Sequence, residues 1–401
     1  MILKSEIQNA YDNQQISKGN DIGFVRRLYL QQIKNGGQHI EVISGIRRCG
    51  KSTLLKLLMK EHKGKIAYFN FEDPRVYGFD VKDFNKLDEV MGTKNTAYYF
   101  DEIQNVPSWE LYIRQLHDMG KKVFITGSNA SLLSKELGTR LTGRHLRHEL
   151  FPFSYQEFLS YTKKRDSYTS VQLYLKNGGF PEYLRNENPE VLQMLLKDIV
   201  LRDIAIRYGI KSTKTLMDIT LFLLSNVGKP TTFNSLRKTF GIGSTNSVSD
   251  YLNWLEDSYL LFFLPKFSWS AKTTAVNARK VYAIDNGMIN VNTLSFSDDY
   301  GRMLENAVYI FLRQQSEKLF YFKEKWECDF ITIANNKAKS VIQVCAEIHS
   351  DNQDREINGL NEAMHFFKLK KGTIVTLNQK DNLKTDAGVI ELIPYREFIS
   401  Q

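Results

Sequence analysis

The chain has 401 residues, of which 42% are hydrophobic and 25% charged, and its formal net charge is +9. This length predicts two to four domains, since domains of ~100–200 residues are usual. The three cysteines are widely spaced and form no Cys-x-x-Cys pair, which excludes a disulfide framework and a zinc ribbon.

The N-terminal segment is polar, and no apolar run approaches the ~20 residues that span a bilayer. We therefore expect a soluble, cytoplasmic protein without a membrane partner. The excess of Lys and Arg is compatible with nucleic-acid binding but is only weak support for it.

The first 150 residues alternate short apolar segments with helical ones. The apolar segments read IEVISGI, KIAYFNF, TAYYFDEI and KVFITGS. Buried strands separated by helices predict a parallel α/β sheet over residues 1–153. The later pattern predicts helices over 154–210, helices followed by short strands over 211–285, and a helix followed by several strands over 286–401.

A glycine turn follows the first predicted strand, in VISGIRRCGKST, and a helical segment comes next. The turn matches the pattern Gly-x-x-x-x-Gly-Lys-Ser, whose backbone N–H groups and helix N-terminus bind phosphate oxygens. The residues expected to surround the phosphates are Gly45, Arg48, Cys49, Gly50, Lys51, Ser52 and Thr53. Lys51 is expected to reach the β- and γ-phosphates, and Ser52 to bind Mg²⁺. The alternative is a glycine turn that happens to precede a lysine.

Polar residues end two further predicted strands. Asp101 is expected to hold Mg²⁺ through water, and Glu102 to act as the general base that activates the attacking water. The alternative for this pair is an acidic surface patch. Ser128 and Asn129 end the strand KVFITGSN, where a polar side chain could sense the γ-phosphate or position the water.

Three arginines follow in ELGTRLTGRHLRHELFPFS, namely Arg140, Arg144 and Arg147. An arginine that reaches the γ-phosphate, in its own subunit or from a neighbour, stabilises the charge of the transition state. We favour Arg144 for this role, then Arg140. The alternative is a basic stripe on a helix.

The motifs DEIQ, TGSNASLLS, LTGR, ELFPFSYQEF and GGFPEYL together resemble those of prokaryotic AAA-type P-loop ATPases with a C-terminal domain of unknown function. This family is related to the origin-recognition and signal-transducing ATPases, and the resemblance covers nearly the whole chain. It implies ATP and Mg²⁺ as ligands, slow hydrolysis, and a helical lid over residues 154–210.

Residues 213–227, 231–242 and 244–261 predict three helices, and LFFLPKF and RKVYAID predict two strands. Three helices and a hairpin resemble a winged helix-turn-helix, which the family has at this place. The third helix begins without Lys or Arg, so sequence-specific DNA reading is not supported. A module that contacts protein is the alternative.

The C-terminal part resembles a restriction-endonuclease-like PD-(D/E)xK domain, with Glu305 on a helix and Asp329 on a strand. The next strand should carry Glu-x-Lys but reads Gln343-x-Cys345. Glutamine is a poorer Mg²⁺ ligand than a carboxylate, and a thiol cannot replace the ammonium group. Glu347 is expected on the same strand face, where it could partly compensate. We therefore expect a degenerate site.

The expected fold is α/β: a P-loop NTPase parallel sheet with a helical lid, then a winged-helix module and a nuclease-like α/β domain. The expected function is a Mg²⁺-dependent ATPase that acts as a regulatory switch, on DNA or on a protein, as a monomer or an ATP-dependent oligomer. The alternatives are an ATP-gated nuclease and a nucleotide-loaded scaffold with negligible turnover.

Overall fold

The computed structural model describes residues 2–16, 30, 33, 37–92, 94–130, 141, 143–294, 299–315 and 318–400. The chain divides into two compact units: residues 1–152 with 257–259, and residues 153–256 with 260–401. The finer division into four domains stays a prediction. Among the described residues, no helix is both long and apolar enough to cross a membrane.

A five-stranded sheet forms the centre of the first unit. Its strands are β1 Ile40–Ser44, β2 Ile66–Asn70, β3 Ala97–Asp101, β4 Lys122–Gly127 and β5 His145–Glu149. They lie in the order β2-β3-β4-β1-β5, and every neighbouring pair is parallel. The predicted parallel α/β sheet is confirmed. Because β4 lies between β1 and β3, the phosphate loop after β1 and the acid pair after β3 flank the end of β4.

Helices of the first unit alternate with these strands. They are α1 Lys4–Ile16, α2 Lys51–Glu61, α3 Phe84–Met91 and α4 Trp109–Asp118, with short 3₁₀ turns at Pro74–Val76, Val81–Asp83 and Ile103–Asn105. Every residue of β1 and β3 is buried, as expected for strands covered on both faces. The apolar core includes Val42, Phe69, Phe100 and Trp109.

The second unit begins with helices and continues with two sheets. Its helices are α5 Tyr155–Thr162, α6 Tyr168–Asn177, α7 Pro181–Asn186, α8 Pro189–Asp198, α9 Thr213–Ser225, α10 Phe233–Thr239, α11 Thr245–Asp257, α12 Ala271–Val276, α13 Asn286–Asn292, α14 Tyr300–Gln315, α15 Gln353–Phe367 and α16 Tyr395–Phe398. A π-helical segment, Ile199–Ile206, continues α8.

The smaller sheet of the second unit is antiparallel, in the order β6-β8-β7. Its strands are β6 Pro230–Thr231, β7 Leu261–Pro265 and β8 Arg279–Ala283. Helices α9, α10 and α11 and strands β7 and β8 lie where the sequence predicts three helices and a hairpin. The winged-helix assignment itself stays a prediction.

The larger sheet has six strands, in the order β13-β14-β12-β11-β10-β9. These are β9 Leu319–Lys323, β10 Glu327–Ala334, β11 Lys337–Val344, β12 Lys371–Thr376, β13 Asp381–Lys384 and β14 Val389–Pro394. Strands β9, β10 and β11 form an antiparallel meander, whereas β11, β12 and β14 are parallel. Helix α15 packs on this sheet through the buried residues Leu360, Ala363 and Met364.

The two glycines of GGFPEYL adjoin a buried carboxylate: Gly178 leaves room for it and Gly179 donates a backbone hydrogen bond to it. Asp285 caps α13 and accepts hydrogen bonds from the backbone N–H groups of Gly179 (2.6 Å), Gly287 (2.8 Å) and Met288 (3.3 Å). Gly178 has φ +70°, and a Cβ there would lie 2.0 Å from Asp285 Oδ1. Burial raises the pKa of Asp285 to about 6. The three backbone hydrogen bonds oppose this shift but do not outweigh it.

Asp285 should make the chain less stable as pH rises from about 4 to 6. Because its folded pKa lies above the unfolded value, the folded state binds more protons in this window, and the free energy of unfolding falls by roughly 2 kcal/mol. In Asp285→Asn, the free energy of unfolding, measured with urea between pH 4 and 7, should depend less on pH. The exposed Asp218→Asn is the control, and an unchanged slope in Asp285→Asn would contradict the assignment.

Candidate nucleotide site

The phosphate loop turns away from β1 at a glycine for which no other residue fits. A Cβ at Gly45 would lie 2.1 Å from the carbonyl oxygen of Leu150. Gly50 has φ +103° and forms the N-cap of α2, while Arg48 has φ +64° and is exposed. Cys49 is buried, and its Sγ lies 3.4 Å from the Leu150 carbonyl oxygen, so only its backbone can face a phosphate.

Lys51 is the first residue of α2 and is only 4% exposed. Its Nζ donates to the carbonyl oxygens of Gly45 and Ile46, at 3.2 Å each, and lies 3.3 Å from Glu102 Oε1. Burial alone would lower the pKa of Lys51, but the nearby carboxylates outweigh it and the pKa is raised. The buried ammonium group therefore stays charged within its own loop.

Asp101 is the last residue of β3 and is fully enclosed. Its carboxylate accepts hydrogen bonds from the hydroxyl groups of Thr126 and Ser52, and Tyr68 Oη lies 3.4 Å from its Oδ2. Burial and the charge of Glu102 raise its pKa above the ordinary value. The predicted pair of magnesium residues, Ser52 and Asp101, is thus in direct contact, while Thr53 lies one residue further along α2.

Glu102 follows β3 in a left-handed conformation, with φ +52°. Its backbone N–H donates to Thr126 Oγ1 at 3.0 Å, so the same hydroxyl group orients both acids. Its Oε2 accepts a 2.5 Å hydrogen bond from Gln104 Nε2. Burial would raise the pKa of Glu102, but Lys51 and Gln104 outweigh it and the pKa is lowered.

The end of β4 supplies the polar residues between the loop and the acid pair. Thr126 is completely buried on this strand, and Ser128 and Asn129 follow it with 8% and 3% exposure. Ser128 Oγ lies 3.4 Å from Gln104 Nε2. The sequence pointed to Ser128 and Asn129, but it missed Thr126 and Gln104, whose roles depend on contacts between strands.

The structure corrects the arginine prediction in part, for action within the same subunit. Arg140 lies outside the described residues. The carbonyl group of Arg144 accepts from Ile40 N at the beginning of β1, and its Nε lies 3.6 Å from Asp118 Oδ1. The phosphate loop leaves the other end of β1, about 16 Å away at ~3.3 Å per residue. Arg144 therefore lies too far from the phosphate loop of its own subunit, and its role in a neighbouring subunit stays a prediction.

Arg147 instead lies in the middle of β5, beside Val42 of β1. Its Nη2 donates to Tyr259 Oη at 2.8 Å, and Tyr259 Oη donates to Ser44 Oγ at 2.7 Å. Ser44 immediately precedes the phosphate loop. Tyr259 is 1% exposed and has φ +62°, a conformation that is unusual for a bulky side chain.

The second unit brings together the acidic residues of the nuclease-like pattern around a lysine that the sequence reading did not select. Lys280 on β8 is 2% exposed, and its Nζ lies 2.8 Å from Asp329 Oδ1, 3.2 Å from Glu305 Oε1 and 2.8 Å from Glu327 Oε1. Tyr282 Oη donates to Glu305 at 2.7 Å. The signal was a lysine within the otherwise apolar run KVYAI.

These contacts shift the pKa values of the groups around Lys280. Burial would lower the pKa of Lys280, but the carboxylates of Asp329 and Glu305 outweigh it and the pKa is raised well above the ordinary value. Burial raises the pKa of Glu305 to about 7. Within the described residues, no group of three or more His, Cys, Asp or Glu side chains is arranged to hold a metal ion.

Gln343 and Cys345 stand where the pattern calls for Glu and Lys. Gln343 Oε1 accepts from Asp329 N at 3.2 Å, and its Nε2 donates to Glu356 Oε2 at 2.6 Å. Burial raises the pKa of the Cys345 thiol to about 11. The prediction for Glu347 is wrong, because β11 ends at Val344 and Glu347 is exposed beyond it.

Replacing the buried Lys280 by Met should remove the cation that three carboxylates share, one of them buried and two half-buried. Breaking a buried ion pair by deleting one partner costs about 3–5 kcal/mol, so the midpoint of urea unfolding should fall clearly. Lys272→Met, at an exposed position on α12, is the matched control and should change stability by less than about 0.5 kcal/mol. Equal stability of the two variants would show that Lys280 does not neutralise the cluster.

The chain is similar to several known proteins. A family model described as "AAA domain" matches residues 37–159, and one described as "Domain of unknown function (DUF8612)" matches residues 168–299. A solved structure, the ORC2 protein of Aeropyrum pernix in its ADP form, covers 62% of this chain and 90% of its own. It shares 13% identity with this chain at a TM-score of 0.34.

Two relatives match most of the chain. An uncharacterized protein of Haemophilus influenzae is 33% identical over 82% of this chain and 89% of its own length. The uncharacterized protein MJ1544 of Methanocaldococcus jannaschii is 36% identical over 96% of this chain and 92% of its own length. With an AAA domain at residues 37–159 and a match of this extent, the chain belongs to the AAA-domain family that includes MJ1544.

Proposed function

We propose that this protein is a Mg²⁺-dependent ATPase whose nucleotide state is passed to its second unit. The observation that carries the proposal is the convergence of Lys51, Ser52, Asp101 and Glu102 at one edge of the sheet. A cation, a hydroxyl group and two carboxylates at the carboxyl ends of parallel strands are what phosphoryl transfer to water requires.

The residues present fit a magnesium ion. Mg²⁺ takes oxygen ligands and keeps several of its waters, and the Ser52 hydroxyl and the Asp101 carboxylate already lie in hydrogen-bonding contact. When bound, the ion would neutralise charge on the phosphate oxygens. Thr126 holds the Asp101 carboxylate in orientation through its hydroxyl group.

Lys51 has contacts that a polyphosphate can replace. Its ammonium group is held by two carbonyl groups of the loop and by Glu102. Phosphate oxygens are stronger partners than neutral carbonyl oxygens, so a bound triphosphate should draw the ammonium group away from Glu102. The Glu102 Oε1 oxygen then becomes available to accept a proton from the attacking water.

The proposed route from the nucleotide site to the second unit begins beside the phosphate loop. Residues 257–259 belong to the first unit, although the chain before them, up to residue 256, and the chain after them, from residue 260, belong to the second. Tyr259 reaches Ser44 through its hydroxyl group, and Ser44 is covalently joined to Gly45. A left-handed conformation costs about 1–2 kcal/mol for an ordinary residue, which makes Tyr259 a candidate for a functional contact.

Two substitutions test the proposed activity. Lys51→Ala should lower the affinity for Mg·ATP at least ~10-fold, because the loop loses its charged donor. Glu102→Gln should keep nucleotide binding but release phosphate ~100-fold more slowly, since the general base is lost. Calorimetric titration and a phosphate-release assay measure the two effects, with the exposed Glu89→Gln as the control. If the wild-type protein neither binds Mg·ATP nor releases phosphate, the proposal is wrong.

Removing one hydroxyl group should uncouple the units. Tyr259→Phe keeps the buried ring but loses the bonds to Ser44 and Arg147, so Mg·ATP affinity should change less than ~3-fold. Hydrogen–deuterium exchange over 245–256 and 260–283 should then respond less to Mg·ATP than in the wild type. Tyr251→Phe, on α11, is the control, and an equal response in Tyr259→Phe would contradict the proposed route.

A further inference from the structure

Gln104 lies in the 3₁₀ turn Ile103–Asn105, directly after the acid pair. Its side-chain amide group contacts two of the three strand ends that meet at the nucleotide site. Nε2 donates to Glu102 Oε2 after β3, at 2.5 Å, and lies 3.4 Å from Ser128 Oγ after β4. One side chain therefore fixes the carboxylate of Glu102 against the end of the neighbouring strand.

The two oxygens of the Glu102 carboxylate have different partners. Oε1 faces the ammonium group of Lys51 at 3.3 Å, and Oε2 faces the amide group of Gln104. A polyphosphate competes for Lys51 but not for a neutral amide donor. Once Lys51 turns to phosphate, Gln104 still holds this carboxylate through its hydrogen bond.

The orientation of the Gln104 amide group follows from its partner. If its oxygen pointed to Glu102, two acceptors would lie 2.5 Å apart, which is repulsive, so the NH₂ group faces the carboxylate. The Gln104 Oε1 atom is then buried and has no donor among the residues that the structure describes. A buried acceptor without a donor lowers the stability of the folded protein by about 1–3 kcal/mol. A water molecule that donates one hydrogen bond to this oxygen would remove that cost.

We infer that Gln104 is a positioning residue for the attacking water. Its NH₂ group holds Glu102 Oε2, so that Glu102 Oε1 receives the proton from the water. Its own carbonyl oxygen accepts a hydrogen bond from the other O–H group of that water. The inference rests on the proposed ATPase function. In the step itself, the water oxygen bonds to the γ-phosphorus and the bond from that phosphorus to the bridging oxygen breaks. ADP leaves with the electron pair, and the proton passes to Glu102.

The first experiment separates positioning from binding. Gln104→Leu removes both polar groups and keeps the approximate volume, so the single-turnover rate of ATP cleavage should fall ~10–100-fold while the dissociation constant of Mg·ATP changes less than ~3-fold. Gln104→Glu keeps the shape but replaces the donor by an acceptor, and it should be at least as slow. Gln115→Leu, at an exposed position on α4, is the matched control and should hydrolyse like the wild type.

Two kinetic outcomes overturn the inference. One is a Gln104→Leu protein that cleaves ATP within ~2-fold of the wild-type rate. The other is a loss confined to affinity with an unchanged single-turnover rate, which would make Gln104 only a structural support of the loop.

A second measurement does not need turnover. In protein labelled with ¹⁵N-glutamine, the side-chain NH₂ signal of Gln104, identified by its loss in Gln104→Leu, should persist with the non-hydrolysable analogue Mg·AMP-PNP bound. It should shift in Glu102→Gln, because its acceptor changes from a carboxylate to an amide. If the Gln104 signal does not shift in Glu102→Gln, the inference is overturned even if ATP is hydrolysed. If the signal shifts but the wild-type protein does not hydrolyse ATP, the proposed ATPase function is wrong, although the Gln104–Glu102 contact exists.

Discussion

A charged ammonium group enclosed by protein is the constraint on which the nucleotide site depends. Lys51 is almost fully buried, and a buried cation must be surrounded by acceptors. The loop supplies two carbonyl oxygens, and Glu102, the residue after β3, supplies a carboxylate. The tight turn at Gly45, which leaves no space for a Cβ, is what brings the loop carbonyl groups to this position. The loop is thus shaped around its own lysine.

The second unit encloses another lysine, with a different balance of charge. Lys280 Nζ has three carboxylates within 3.2 Å, whereas Lys51 Nζ has one carboxylate partner, Glu102, at 3.3 Å. An anionic ligand would compete with carbonyl groups around Lys51, but around Lys280 it would have to displace three carboxylates that already neutralise the ammonium group. The same chemical group therefore suits an exchangeable site in one unit and a permanent ion cluster in the other.

The local features of this protein could be predicted from its sequence, and the contacts between distant segments could not. The phosphate loop and the acid pair are each contained in a few consecutive residues beside an apolar strand, so their patterns are legible. Lys280 meets Asp329 across 49 positions, and Tyr259 meets Ser44 across 215. The position of Arg144 beside the beginning of β1 likewise depends on strand pairing, which the order of the motifs does not reveal.

The path of the chain between the units bears on how such a protein can be divided. Because residues 257–259 return to the first unit, the segment that carries the AAA domain is completed by a side chain encoded about a hundred residues after its apparent end. A fragment that stopped at Pro152 would lack the ring of Tyr259 and would leave the hydroxyl group of Ser44 without that neighbour, next to the loop. Swapping this AAA domain between relatives as a contiguous cassette would therefore separate the loop from part of its own packing.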